Sequence, residues 1–122
     1  MKQKIPDVNS IIKDILSCLK KDDIGMIASH IGIVRGYSLD AKKVKGLDIK
    51  FNKSKVDEIV QKVESKKGIV KVKVKLNEGQ LDIGDWIMIV IIAGETRDVV
   101  FPALVDTVNL IKEKASVKKE LL

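Results

Sequence analysis

Apolar residues recur along this chain at two spacings, one typical of helices and one typical of strands. Isoleucine and leucine repeat every three to four residues after Asn9, which predicts a first helix with Asn9 as its N-cap. The same spacing predicts a second helix over 54–67, with Ser54 as its N-cap. A third helix is expected after Thr96, where Pro102 removes a backbone donor and predicts a kink or a later start.

Strand-like segments separate these helices. Valine and lysine alternate over 69–76, which predicts a strand with one buried face and one hydrated face. The segment 86–93 is apolar at odd and even positions alike, so we expect a central strand that is covered on both faces. Two more strands are expected over 24–34 and 44–51, and a loop over 77–85. The order α-β-β-α-β-β-α predicts an α+β layer fold.

Composition narrows the class of protein. A chain of 122 residues that is 45% hydrophobic has the size of one domain, and we expect a single domain over 1–122. Its longest apolar run, 86–93, is far shorter than the roughly 20 residues that span a bilayer, and no secretory signal is visible. One cysteine and one histidine form neither an intrachain disulfide nor a Cys/His zinc site. We therefore expect a cytoplasmic protein with no membrane anchor, resident metal or cofactor.

The net charge of +6 reflects an excess of lysine, since Arg35 and Arg97 are the two arginines among 23 basic residues. The lysine face of the 69–76 strand could bind nucleic-acid phosphates, although a solvated face that discourages edge-to-edge pairing is the more common role. His30 lies inside the 24–34 strand, where a structural role is more common than a catalytic one. None of these charges alone identifies a ligand.

Four segments with chemistry-bearing residues follow one another in a recognisable order, namely IGIVRG (31–36), EGQLDIGD (78–85), ETRDVVFPAL (95–104) and IKEKASVKKE (111–120). Together they resemble the large, catalytic subunit of molybdopterin synthase, over residues 24–120. The signatures of that family are G-x-V-R at a strand end, a G-x-L-x-x-G-[DE] loop, H-R-x-x-x-F-x-A, and a helix that ends in lysine before P-x-W-K-[KR]-E. The resemblance implies an α/β hammerhead-like layer fold with mostly antiparallel strands and about three helices.

The resemblance also implies an activity and partners. In that family, a ubiquitin-like small subunit inserts its C-terminal Gly-Gly thiocarboxylate into the large subunit, and sulfur passes to cyclic pyranopterin monophosphate to form the molybdopterin dithiolene. The large subunits form a homodimer with one small subunit at each end, which makes a heterotetramer. A phosphate-bearing substrate fits fixed arginines, and lysines can neutralise a leaving group.

Carried over position by position, the resemblance implies catalytic roles for Lys112 and Lys119, and substrate-binding roles for Arg35, Thr96, Arg97 and Lys118. Lys119 matches the second lysine of the family without a gap, whereas Lys118 matches it if one residue is deleted. Both alternatives remain open at the level of sequence.

Departures from the family pattern support a second hypothesis. Thr96 stands where the family has a histidine, and the proline and tryptophan of P-x-W-K are absent. The chain could therefore be a catalytically impaired paralogue that acts as a dimeric binding or regulatory module. A third and weaker hypothesis is nucleic-acid binding through the lysine face of the 69–76 strand, which predicts an affinity that falls steeply with salt.

Overall fold

The computed structural model describes residues 3–122. Within that range it contains three α-helices, six strands and a short 3-10 helix over Lys21–Asp23. In chain order the main elements are α1 (Val8–Leu16), β1 (Met26–Ile33), β2 (Gly46–Phe51), α2 (Lys53–Glu64), β3 (Ile69–Leu76), β4 (Gly79–Asp82), β5 (Trp86–Gly94), α3 (Arg97–Lys114) and β6 (Ser116–Leu121). The α+β fold class expected from the sequence is confirmed.

The strands form two antiparallel sheets. The first has the order β1-β5-β3 and the second has the order β4-β2-β6. The inner faces of both sheets and the buried faces of α2 and α3 contribute to one main hydrophobic cluster. Because β6 follows α3 after a single residue, Ala115, the end of the long helix is joined directly to an edge of the second sheet.

The central strand β5 is buried on both faces, as its continuous apolar run predicts. Met88, Val90 and Ile92 belong to the main cluster. Ile89 and Ile91 belong to a second cluster with residues of α1, and both are fully buried. The alternation of a strand sends successive side chains to opposite faces, so β5 supplies both layers of the core.

The structure differs from the sequence-based expectations in two strands. The predicted loop over 77–85 contains β4, which pairs with β2 from Gly46↔Asp82 to Ile49↔Gly79. The stretch after α3, whose lysines suggested only a charged tail, is the strand β6, paired with β2 along its whole length. Both strands are short or charged, and their partner β2 lies far away in sequence, so local pattern does not reveal them.

Helix starts also differ in detail. The N-cap of α1 is Asp7, whose side chain accepts a bond from the Asn9 backbone, and that of α2 is Asn52 rather than Ser54. Helix α3 starts directly after Thr96 and runs through Pro102, so the expected later start is wrong. Within residues 3–122, no helix is long and apolar enough to cross a membrane.

Candidate functional site

A cleft of about 650 Å³ opens between the end of the first sheet and the β6 edge of the second. Its floor is apolar and includes Val34, Ile49 and Met88, all of them buried. The charged side chains around it are Arg35, Asp40, Lys112, Lys118 and Glu120. Three of the residues suggested by sequence resemblance, Arg35, Lys112 and Lys118, thus line one cavity.

Arg35 follows β1 at a point where the backbone is held on both sides. The Val34 amide donates to the Asp85 carbonyl at 2.9 Å, and the Gly84 amide donates back to the Val34 carbonyl at 2.8 Å. The Val44 amide donates to the Gly36 carbonyl at 3.0 Å, which closes the loop that follows. The side chain of Arg35 is therefore exposed to the cleft on a backbone whose position is set by its neighbours.

Lys112 and Lys118 are held in place by the corner between α3 and β6. The Ser116 hydroxyl donates to the Lys112 carbonyl at 2.8 Å, and the Asn52 amide donates to the Ala115 carbonyl at 2.8 Å. Ala115 itself is buried, so the corner has little room to shift. Lys112 lies in the last turn of the helix, where the negative end of the helix dipole favours a cation.

Strand alternation determines which lysine of β6 faces the cleft. Lys118 pairs with Ile49 and Glu120 pairs with Leu47, and all four of these side chains line the cavity. Lys119 pairs with Asp48 on the opposite face of the sheet and is not among the lining residues. The structure therefore brings Lys118 next to Arg35 and Lys112, and leaves Lys119 on the outer surface.

Thr96 and Arg97 lie at the other end of the first sheet. Arg35 lies beyond the end of β5 that begins at Trp86, whereas Thr96 and Arg97 follow Gly94 at its far end. At roughly 3.3 Å per residue, the two ends of the nine-residue strand are about 25 Å apart. Both residues are exposed, and the Thr96 side chain makes no capping bond to α3. Within one chain they do not join the cleft.

His30 lies on the inner face of β1, close to the cleft wall. Its Nε2 atom is buried and has no hydrogen-bond partner. A Cβ atom added at Gly32 would lie 3.3 Å from this nitrogen and 3.8 Å from Met88 Cγ, so the imidazole leans over the glycine beside a cleft residue. Burial lowers the pKa of His30 below its ordinary value of 6.5, and the charge of Lys112 lowers it further. Both effects favour the neutral form of the His30 imidazole.

Several lining residues were not anticipated from the sequence. The loop after Arg35 contributes Tyr37, Leu39 and Asp40, and β6 contributes Ser116 and Glu120. Ser116, Lys118 and Glu120 lie at every second position, as expected for one face of a strand. All three are polar, so this face becomes recognisable through the pairing of β6 with β2. Hence the sequence pointed to the cations of the cleft and missed its two carboxylates.

The charges that line the cleft suit an anionic ligand that also carries neutral polar groups. Three cations and two carboxylates surround an apolar floor, and the guanidinium of Arg35 offers a planar pair of donors that fits phosphate oxygens. Among residues 3–122, no group of three or more His, Cys, Asp or Glu side chains could hold a metal ion. The cations that line the cleft can bind an anion, and their ammonium groups can donate a proton.

Solved structures with the same fold share about a fifth of the residues. Molybdopterin synthase from Staphylococcus aureus has a TM-score of 0.70 at 21% identity, over 80% of this chain and 74% of that one. Molybdopterin cofactor biosynthesis protein E from Burkholderia multivorans ATCC 17616 has a TM-score of 0.76 at 22% identity, over 97% and 82% of the two chains. A complex of subunits 1 and 2 of the molybdopterin-converting factor from Helicobacter pylori 26695 has a TM-score of 0.69 at 17% identity, over 96% and 80%.

The sequence of this chain matches a protein family but no individual curated protein. No curated protein matches the chain. The family described as MoaE protein matches residues 2–114, which is nearly the whole length. This chain therefore belongs to the MoaE protein family.

Proposed function

We propose that this protein is the large subunit of a molybdopterin synthase and acts in molybdenum cofactor biosynthesis. In this proposal sulfur passes from the C-terminal thiocarboxylate of a ubiquitin-like small subunit to cyclic pyranopterin monophosphate. The observation that carries it is the convergence of Arg35, Lys112 and Lys118 on one cleft with an apolar floor. Family membership and the two-subunit complex named above support the small-subunit partner.

The cleft offers the chemistry that such a transfer needs. The Arg35 guanidinium can hold the substrate phosphate through paired hydrogen bonds, and the cations together attract the thiocarboxylate anion. Lys112 and Lys118 can stabilise negative charge on the leaving group and donate a proton to it. The apolar floor borders these charges on one side, and its low polarity strengthens their interaction with a bound anion.

We further propose a homodimer, and with two small subunits a heterotetramer. Thr96 and Arg97 follow the end of β5 that lies about 25 Å from the end beside Arg35, so we assign them to the cleft of a second copy. In a two-fold dimer that joins the Arg97 end of one copy to the cleft of the other, each copy would supply its Arg97 to the other's cleft, because a two-fold interface repeats every contact. Thr96 offers a hydroxyl there in place of the family histidine.

The central experiment is a reconstituted reaction with a thiocarboxylated small subunit and the cyclic pterin phosphate, with dithiolene product measured. We expect wild-type protein to form product, and Lys112→Ala to lower kcat by about 100-fold or more, in the range for loss of a general acid. Lys114→Ala is the matched control, because Lys114 is in the same helical turn and does not line the cleft. Equal activity of both variants and the wild type would refute the proposed role of Lys112.

The same assay tests the alternative of an impaired paralogue, which the threonine at position 96 favours. That alternative predicts binding of the small subunit by calorimetry with no product from the wild-type protein. Absence of product with authentic partners would overturn the sulfur-transfer proposal, and retained binding would then identify a dimeric binding or regulatory module.

Mixing two inactive variants tests the shared cleft. Arg35→Ala and Arg97→Ala should each be impaired alone, whereas an equimolar exchanged mixture should recover about a quarter of wild-type activity. Half of the dimers are then mixed, and each mixed dimer has one cleft with both arginines intact. Failure to recover any activity, with exchange verified by mass spectrometry, would argue that Arg97 acts within its own chain or not at all.

A further inference from the structure

His30 is a half-buried titratable side chain that the proposed sulfur transfer leaves without a role. It projects from the face of β1 that also carries Ala28, and its ladder partner Val90 is fully buried. The Nε2 atom lacks a partner although it is shielded from solvent. A buried nitrogen without a partner is uncommon, because its desolvation is normally offset by a hydrogen bond.

Lys112 is the charged group that acts on His30, and the core positions packed against the ring are uncharged. On β5 the facing positions are Met88, Val90 and Ile92, all apolar. On α3, the buried positions of the same core are uncharged, and Lys112 is the charged group whose field acts on the imidazole. Met88 lies beside both His30 and the cleft that Lys112 lines. Met88 therefore connects the surroundings of the imidazole to the cleft of the proposed catalytic lysine, whose charge acts on the ring.

We propose that His30 is a positioning residue for Lys112, with Nε2 accepting a hydrogen bond from the Lys112 ammonium and holding it at the Met88 end of the cleft. The role rests on the sulfur-transfer function proposed above. It requires a neutral imidazole with its proton on Nδ1, since an imidazolium has no acceptor. Gly32 leaves the space in which the ring lies, because a side chain there would meet Nε2.

At acid pH, the attraction between His30 and the Lys112 ammonium is replaced by repulsion. Below the pKa of His30, which burial and Lys112 hold under 6.5, the ring gains a charge of the same sign as Lys112 and loses its acceptor. The ammonium is then repelled from the position at the cleft wall. The arrangement favourable to transfer is thus present above the folded-state pKa of His30 and is lost as the pH falls through it.

The first test is a titration of the imidazole by NMR, which is unambiguous because the chain has one histidine. Removal of the neighbouring charge in Lys112→Met should raise the pKa of His30, whereas Lys114→Met should leave it unchanged. Nitrogen shifts of the wild-type ring should report protonated Nδ1 and unprotonated Nε2. A pKa unaffected by Lys112→Met, or a proton on Nε2, would overturn the proposal. This test needs no substrate, so it remains decisive if sulfur transfer is not observed.

The second test compares His30→Gln and His30→Phe in the reconstituted reaction. Glutamine keeps an uncharged acceptor that does not titrate, so kcat should stay near the wild-type value and its fall at acid pH should shift or disappear. Phenylalanine fills the space without an acceptor, so kcat should fall about tenfold with KM unchanged. Thermal unfolding checks that both variants fold. Wild-type kcat and an unaltered pH profile in His30→Phe would overturn the proposal, whereas an inactive wild type would count against the sulfur-transfer function instead.

Discussion

The inward lysine of β6 and the lysines of β3 differ in their surroundings, although both strands are rich in lysine. Lys118 extends into the cleft of about 650 Å³, beside Arg35 and Lys112. On β3, Lys73 and Lys75 border a shallower groove of about 400 Å³, whose lining includes Asp57 and valines of α2. Both cavities therefore combine three cations with carboxylates, but the β6 lysine shares the larger one with an arginine, whereas the cations of the β3 groove are all lysines. A positive strand face is thus better suited to phosphate when a neighbouring element adds a guanidinium, whose planar donors fit phosphate oxygens, beside a cavity large enough for the ligand.

For this comparison, the largest effect on catalysis is expected from replacing one of two adjacent lysines of β6. Lys118→Ala should lower kcat/KM by about 100-fold, because it removes a cation that faces the substrate, whereas Lys119→Ala should change it by about twofold or less. The two variants are matched in sequence position and in charge removed, and they differ in the face of β6 from which the side chain is lost. Steady-state kinetics in the reconstituted reaction measure both. The reverse ranking would favour the ungapped match of Lys119 to the family lysine.

The smallest expected effect concerns the β3 lysines. Replacement of Lys71, Lys73 and Lys75 by glutamine should leave turnover within about twofold of the wild type, since none of the three side chains lines the cleft. The triple variant also tests the nucleic-acid hypothesis. Salt-dependent binding of DNA or RNA by the wild type that is abolished in the triple variant would revive that hypothesis and remove the contrast between the two strands.

Much of the fold is predictable from sequence because its longest elements have strong local patterns. The alternation of 69–76 gives β3 with its observed bounds, and the apolar run of 86–93 gives the central strand β5. The strands β4 and β6 escape prediction because backbone pairing with β2 defines them, and their own side chains carry little hydrophobic signal. Asp7 and Asn52 cap helices two residues before the predicted caps, a displacement typical of sequence-based boundaries.

The candidate site is less predictable because it depends on which faces meet. Resemblance by sequence named Arg35, Lys112 and the lysine pair at 118–119, but the pairing of Ile49 with Lys118 decides which of the pair faces the cleft. The sequence favours a structural role for His30, whereas its closeness to Lys112 depends on the packing of α3 on β1. Arg97 and Arg35 lie at opposite ends of β5, and the sequence motifs do not indicate this separation.

The single residue between α3 and β6 has an evolutionary consequence. Ala115 sets the phase of the strand, so that even-numbered side chains from Ser116 to Glu120 face inward. An insertion or deletion of one residue here would turn Lys118 outward and exchange the whole inward set for its neighbours, because a strand repeats every two residues. Selection on this part of the chain should therefore act more strongly on its length than on the identity of its outward residues.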